Sequence, residues 1–220
     1  MKTITLSFFL LSIIFSASAQ EAKHTDHAFK GYNTFITTDN PYGNTSCYNN
    51  INFQIGAPAL AISFLHGKGN YHQIELCDLA LNINNQNYFI AKTSAFTIGC
   101  RYSYNILIFK TRNEKLKTFI APSAHLLANY NSVKFSTPIS YPSRYTYLYG
   151  ELEIAPVISY SFSKHFSIEA NIPFTLIGYT TYIKHQLDPN IPAGDEWSSQ
   201  SSPYLGPQYF QGRIGVVINL

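Results

Sequence analysis

Residues 184–205, "KHQLDPNIPAGDEWSSQSSPYL", hold His185, Asp188, Asp195, Glu196, the single Trp197 and Ser198 within one short span. A hydroxyl nucleophile, an imidazole base and a carboxylate are the parts of a hydrolase, so a lipid-active or proteolytic enzyme is one reading. Order and spacing match no nucleophile motif, and no G-x-S-x-G is present. Such a density of Pro, Gly and Ser describes a surface loop. "HTDH" offers His24, Asp26 and His27 as metal ligands, without the further defined pair that a zinc site needs. The expectation is a chain with no catalytic residue, no metal and no cofactor.

The elements that would position these residues are extended. In "SAFTIGCRYSYNILIF", residues 94–109, Phe96, Ile98, Cys100, Tyr102, Tyr104, Ile106 and Ile108 alternate with Ala95, Thr97, Gly99, Arg101, Ser103 and Asn105. A two-residue period is that of a β-strand. The same alternation recurs over 148–162, 166–176 and the terminal 210–220, more noisily over 120–130, and over 60–64. Weaker strands are read at about 28–37 and 72–83, which makes eight, with ten left open. In the 72–83 strand Glu75 and Asp78 fall on opposite faces, which calls for a bulge. Pro122, Pro156 and Pro173 lie inside strands, where a missing N–H calls for bulges near the rims. The connections, 38–50, 66–71, 84–93, 110–118, 131–145, 163–165 and 184–205, tend to alternate long and short. That pattern suits an even-stranded barrel with both termini at one end.

The chemistry of the two faces decides which one meets water. Charged residues make up 12% of the 220, against about 25% in soluble domains, with 17 Tyr and 16 Phe. A soluble lipocalin-like barrel would put Lys and Glu on its polar face. Here that face is Ala, Ser, Thr, Gly and Asn, which suits the crowded interior of a narrow barrel. The apolar set is therefore expected to face lipid. The few strand charges fall on the inward side, so Arg101, His125, Glu151, Glu153, Glu169 and Arg213 are expected to form an interior network, paired because burial demands it. Tyr141, Tyr145, Tyr147, Tyr149, Tyr179, Tyr182, Tyr204 and Tyr209 are read as a girdle at the membrane interface.

Residues 1–19, with an apolar run from Ile4 to Phe15 and Ala17-Ser18-Ala19 at its end, read as a signal peptide; residues 20–220 read as one barrel domain. A hairpin centred near 88–89 would place Cys77 and Cys100 opposite each other as a cross-strand disulfide candidate, with Cys47 in a loop. A net charge of +3 gives no case for nucleic acid.

The signal sequence, the alternating strands and the terminal "GRIGVVINL" together resemble the small eight-stranded OmpA/OmpX-like outer-membrane barrels of Gram-negative bacteria. The resemblance implies an all-β, closed, up-and-down transmembrane barrel in the cell outer membrane. It also implies contact with outer-membrane lipid and lipopolysaccharide, and recognition of the terminal strand by the outer-membrane assembly machinery. The family's strand usually ends in an aromatic residue, and this chain ends in Leu220. The function expected is non-enzymatic: envelope structure, or surface recognition through long outer loops. An accessory role in transport or secretion, with an envelope protein as partner, stands beside it.

Overall fold

A computed structural model of the chain describes residues 27–38, 51–52, 59–66, 69–85, 92–134, 141–206 and 211–219. The described residues form eleven antiparallel segments: β1 (His27–Thr38), β2 (Ile51–Asn52), β3 (Ala59–His66), β4 (Asn70–Asn85), β5 (Lys92–Lys110), β6 (Leu116–Lys134), β7 (Ser143–Ser161), β8 (Phe166–Asn171), β9 (Phe174–Gln186), β10 (Trp197–Leu205) and β11 (Gln211–Asn219). Pairing runs β1–β3–β4–β5–β6–β7–β8–β11 and returns to β1, so the sheet closes. β2 and β3 both lie along β1, β8 and β9 both lie along β7, and β10 and β11 follow β9 and β8. Eleven segments thus make eight strands of an up-and-down barrel. Each strand of the ring is paired on both sides, while β10 beyond it pairs only with β9 among the described residues.

The outer ends of the first and last described strands, β1 and β11, meet at one rim, where Ala28 pairs with Asn219. The turns 111–115 and 162–165 share that rim, and the connection 187–196 sits at the other. The 184–205 stretch departs from the sequence reading. It is a hairpin in which β9 runs on to Gln186 and β10 pairs back against it, Trp197 opposite His185. Its residues are mostly exposed on both faces, so no apolar alternation marked it as strand.

The prolines are accommodated differently from the bulges expected. Pro122 faces outward, and the β5–β6 ladder skips the pairs beside it without changing register. Pro156 is opposite the interruption Ile172–Pro173 between β8 and β9. Ile172 N–H donates to the Pro156 carbonyl at 3.4 Å, and the proline nitrogen on the same side returns no bond, at the point where the ladder is interrupted. Shifts of register fall elsewhere, including the one between Cys77 and Ala80 that Glu75 and Asp78 called for.

The alternation sorts side chains by face. Leu126, Leu152, Ile158, Ile74, Ile214 and Phe96 point outward, Leu126 at 60% exposed and Leu152 at 55%. In β5, β6 and β7 the outward row between Phe96 and Ile108, Ile120 and Tyr130, and Leu148 and Tyr160 carries no Asp, Glu, Lys or Arg. Exposed Phe109, Tyr160, Phe162 and Phe166 flank this band near the short turns, and Phe96, Tyr130 and Tyr179 flank it toward the far end. Inside, near the short turns, Tyr71, Phe119, Ala121, Ala155 and Val157 form an apolar cluster.

Candidate functional site: the lumen and its ionic plug

Eight strands enclose a lumen that side chains can just fill, and here the middle is filled with charge. The six residues singled out from sequence, Arg101, His125, Glu151, Glu153, Glu169 and Arg213, are all buried on the inner face. Arg101 donates through Nε to Glu153 Oε2 at 2.7 Å and through Nη1 to Glu75 Oε1 at 3.0 Å. Arg213 Nη2 donates to the same Glu75 oxygen at 2.5 Å. Ser123 Oγ donates to Glu153 at 3.2 Å. His125 Nδ1 lies 3.0 Å from Glu151 Oε2 and 3.6 Å from Glu153 Oε1. Glu169 stands apart from this group and is held by Lys30 Nζ at 2.9 Å, by Tyr71 OH at 3.3 Å and by a short bond from Tyr32. Tyr32 OH and Gln73 link the two halves, with Gln73 Nε2 donating to Glu75 at 3.2 Å.

Lys30, Glu75, Tyr32 and Tyr71 were missing from the sequence-derived network. Lys30 lies in a strand with little alternation, but Glu75 shares its parity with Tyr71 and Gln73 and was within reach of the same argument. A guanidinium shared by two carboxylates, and a carboxylate shared by two guanidiniums, is the arrangement that makes buried charge tolerable. The network ties β1, β4, β5, β6, β7, β8 and β11 together across the lumen. A cavity of about 20 Å³ remains among Glu75, Arg101, Glu169, Asn171 and Arg213, room for one water. Asn171 Oδ1, buried at its edge without a protein partner, is the atom such a water would satisfy.

Toward the far end the lumen is lined by aromatic rings. Tyr145, Tyr147 and Tyr149 of β7 share the inward parity of Glu151 and stack with Tyr182 of β9, the Tyr147 and Tyr182 rings 4.9 Å apart. These four line the vestibule and do not belong to the interface girdle expected of them. Tyr204 also turns inward, crossing the face of Gly178, where any side chain would collide with its ring, to donate to Glu151 at 2.5 Å. Tyr141 and Tyr179 are exposed outside, and Tyr209 lies outside the described residues.

The disulfide candidate is corrected. Both cysteines are unbridged, Cys77 buried inside and Cys100 exposed outside. Cys77 pairs with Gly99 and Cys100 with Leu76, so the two thiols leave the sheet on opposite faces. Cys47, His24 and Asp26 lie outside the described residues, and of His27 only the backbone is described. In the β9–β10 hairpin His185 stacks on Trp197 at 3.9 Å between centroids, while Ser198 is opposite Lys184 and projects from the other face. Asp188 accepts from Asn190, and Glu196 accepts the Gly194 N–H at 2.6 Å. These residues hold the hairpin tip, and the serine, histidine and acid are not brought together.

No family model and no curated protein matches this sequence. Among solved structures, the chain is similar to a major outer membrane protein from Thermus thermophilus. The TM-score is 0.50 at 8% identity, over 90% of this chain and 100% of that one. At that identity the likeness is one of fold: a closed antiparallel barrel of eight strands.

Proposed function

We propose that this chain is a non-enzymatic outer-membrane barrel that is closed to bulk diffusion and acts through its far end. The observation that carries the reading is the outward band without Asp, Glu, Lys or Arg around β5–β7, bounded by aromatic rings. Water would not tolerate that surface, whereas the hydrocarbon layer around an outer-membrane barrel, about 25 Å thick, would. Termini and short turns then lie in the periplasm, and the β9–β10 hairpin and tyrosine-lined vestibule face outward. Lys134 and Arg144, exposed toward the far rim beyond the band, suit the phosphates of lipopolysaccharide. The alternating apolar residues of β11 suit the assembly machinery, and an envelope protein bound at the outer rim fits the recognition role. The fold likeness to an outer membrane protein supports the architecture on which this reading rests.

The test combines fractionation, heat-modifiable gel mobility and planar-bilayer recording on the full chain. The reading expects outer-membrane recovery, a mobility change on boiling and no steady conductance. Recovery in the soluble periplasm, or a stable open channel, overturns it.

A further inference from the structure

The bulge in β4 assembles something the plug does not need. Adjacent residues of a regular strand point to opposite faces, yet Cys77 and Asp78 both reach the lumen. The register shifts between Cys77 and Ala80, and Asp78 adopts φ = 54°. That left-handed conformation is one aspartate tolerates better than most residues, and a bulge of this kind re-aims a side chain. The result is a cluster of three donors of different chemistry. His125 Nε2 lies 3.5 Å from Cys77 Sγ and 3.1 Å from Asp78 Oδ2, and all three ligand atoms lie within 4.8 Å of one another.

Three further observations point at an ion among them. First, the spacing is close: bonds of about 2.0–2.3 Å at tetrahedral angles separate donors by roughly 3.3–3.6 Å, against 3.5 Å and 3.1 Å from His125 Nε2 to the other two. Second, Gly99 of β5 leaves the space open. A Cβ at Gly99 would lie 3.0 Å from Asp78 Oδ2, 3.1 Å from Cys77 Sγ and 3.2 Å from His125 Nε2, against all three at once. Third, His125 is oriented as a metal ligand is. Its Nδ1 faces Glu151 at 3.0 Å, leaving Nε2 to the cluster, and Glu151 is itself held by Tyr204 and Thr175. The charge of this layer also favours a cation: Glu75, Asp78, Glu151, Glu153 and Glu169 outnumber Lys30, Arg101 and Arg213.

We propose that Cys77 Sγ, Asp78 Oδ2 and His125 Nε2 bind one Zn²⁺ ion, with a lumen water as fourth ligand. Cys77 binds as thiolate, its proton leaving to lumen water as the Zn–S bond forms. The ion arrives from the far end: the Asp78 side chain is 24% exposed, and half-buried Thr97, Asn129 and Asn131 lie above it. A nucleophilic role for the same thiol has no room, since Cys77 is 2% exposed and an organic substrate cannot reach it. The site does not depend on the non-enzymatic reading of the barrel.

The test uses the full chain folded in detergent, with Zn²⁺ alone against a chromogenic chelator and Co²⁺ as spectroscopic stand-in. The proposal expects one ion per chain, a sulfur-to-cobalt charge-transfer band and the strong visible absorption of four-coordinate Co²⁺. Cys77→Ser should abolish the charge-transfer band and weaken Zn²⁺ at least 10-fold, Gly99→Ala should block binding, and Cys100→Ser should change nothing. Folding of each variant is read from heat-modifiable mobility. Wild-type affinity in folded Cys77→Ser and Gly99→Ala overturns the proposal. So does the absence of a charge-transfer band in the wild-type protein, a result that no folding defect in a variant can obscure.

Discussion

Glu75 is 1% exposed and holds two arginines from β5 and β11, strands that lie on opposite sides of β1, β3 and β4. Its removal leaves Arg213 over the Tyr32 ring at 4.7 Å without that carboxylate. Breaking a buried pair on one side costs about 3–5 kcal/mol, far more than the pair contributes against an apolar replacement. Glu75→Ala should therefore destabilise the barrel by about 3 kcal/mol in urea unfolding from lipid vesicles. Adding Arg213→Met should return most of that loss. A cost below about 1 kcal/mol for the single variant would show that the plug does not hold the strands. Sequence reading found six members of this network because strand parity and the cost of unpaired charge point the same way. It missed Lys30 and Tyr32 because β1 barely alternates. It misread Cys77 because a bulge reverses parity without altering composition.

At the scale of the strand, β7 carries the membrane argument by itself. Glu151 and Glu153 point in, while Leu148, Leu152 and Ile158 point out. Depth should matter on the outer face. An arginine at the midplane of a barrel costs about 2–4 kcal/mol and near the interface about 0–1. Leu152→Arg should fall in the first range and Thr146→Arg, toward the far end, in the second, measured by the same unfolding. Equal costs at the two positions would contradict a bilayer around this strand. The strands were legible where the outward face is continuously apolar, because there the alternation is sharp. Beyond that band the β9–β10 hairpin has water on both faces, so its serines and threonines read as loop. The tyrosines of β7 above Glu151 were placed in the girdle because aromatic residues near strand ends look alike whether they face lipid or lumen.

At the scale of the whole molecule the lumen is graded. An apolar cluster closes the end with the short turns, an ionic layer fills the middle, and a tyrosine-lined vestibule opens the far end. The proposed reading, a barrel closed to bulk diffusion that acts through its far end, rests on this gradient. All of it depends on the band of Ile, Leu, Phe and Tyr facing hydrocarbon, and Cys100 sits in that band, exposed and unbridged. The direct measurement is a nitroxide attached to Cys100 in a Cys47→Ser background, in lipid vesicles, with molecular oxygen and a polar nickel chelate as competing relaxants. The account predicts strong relaxation by oxygen and little by the chelate, with the same result for labels at Leu126→Cys and Leu152→Cys. Preferential relaxation by the chelate at these positions would place water against this face and contradict it.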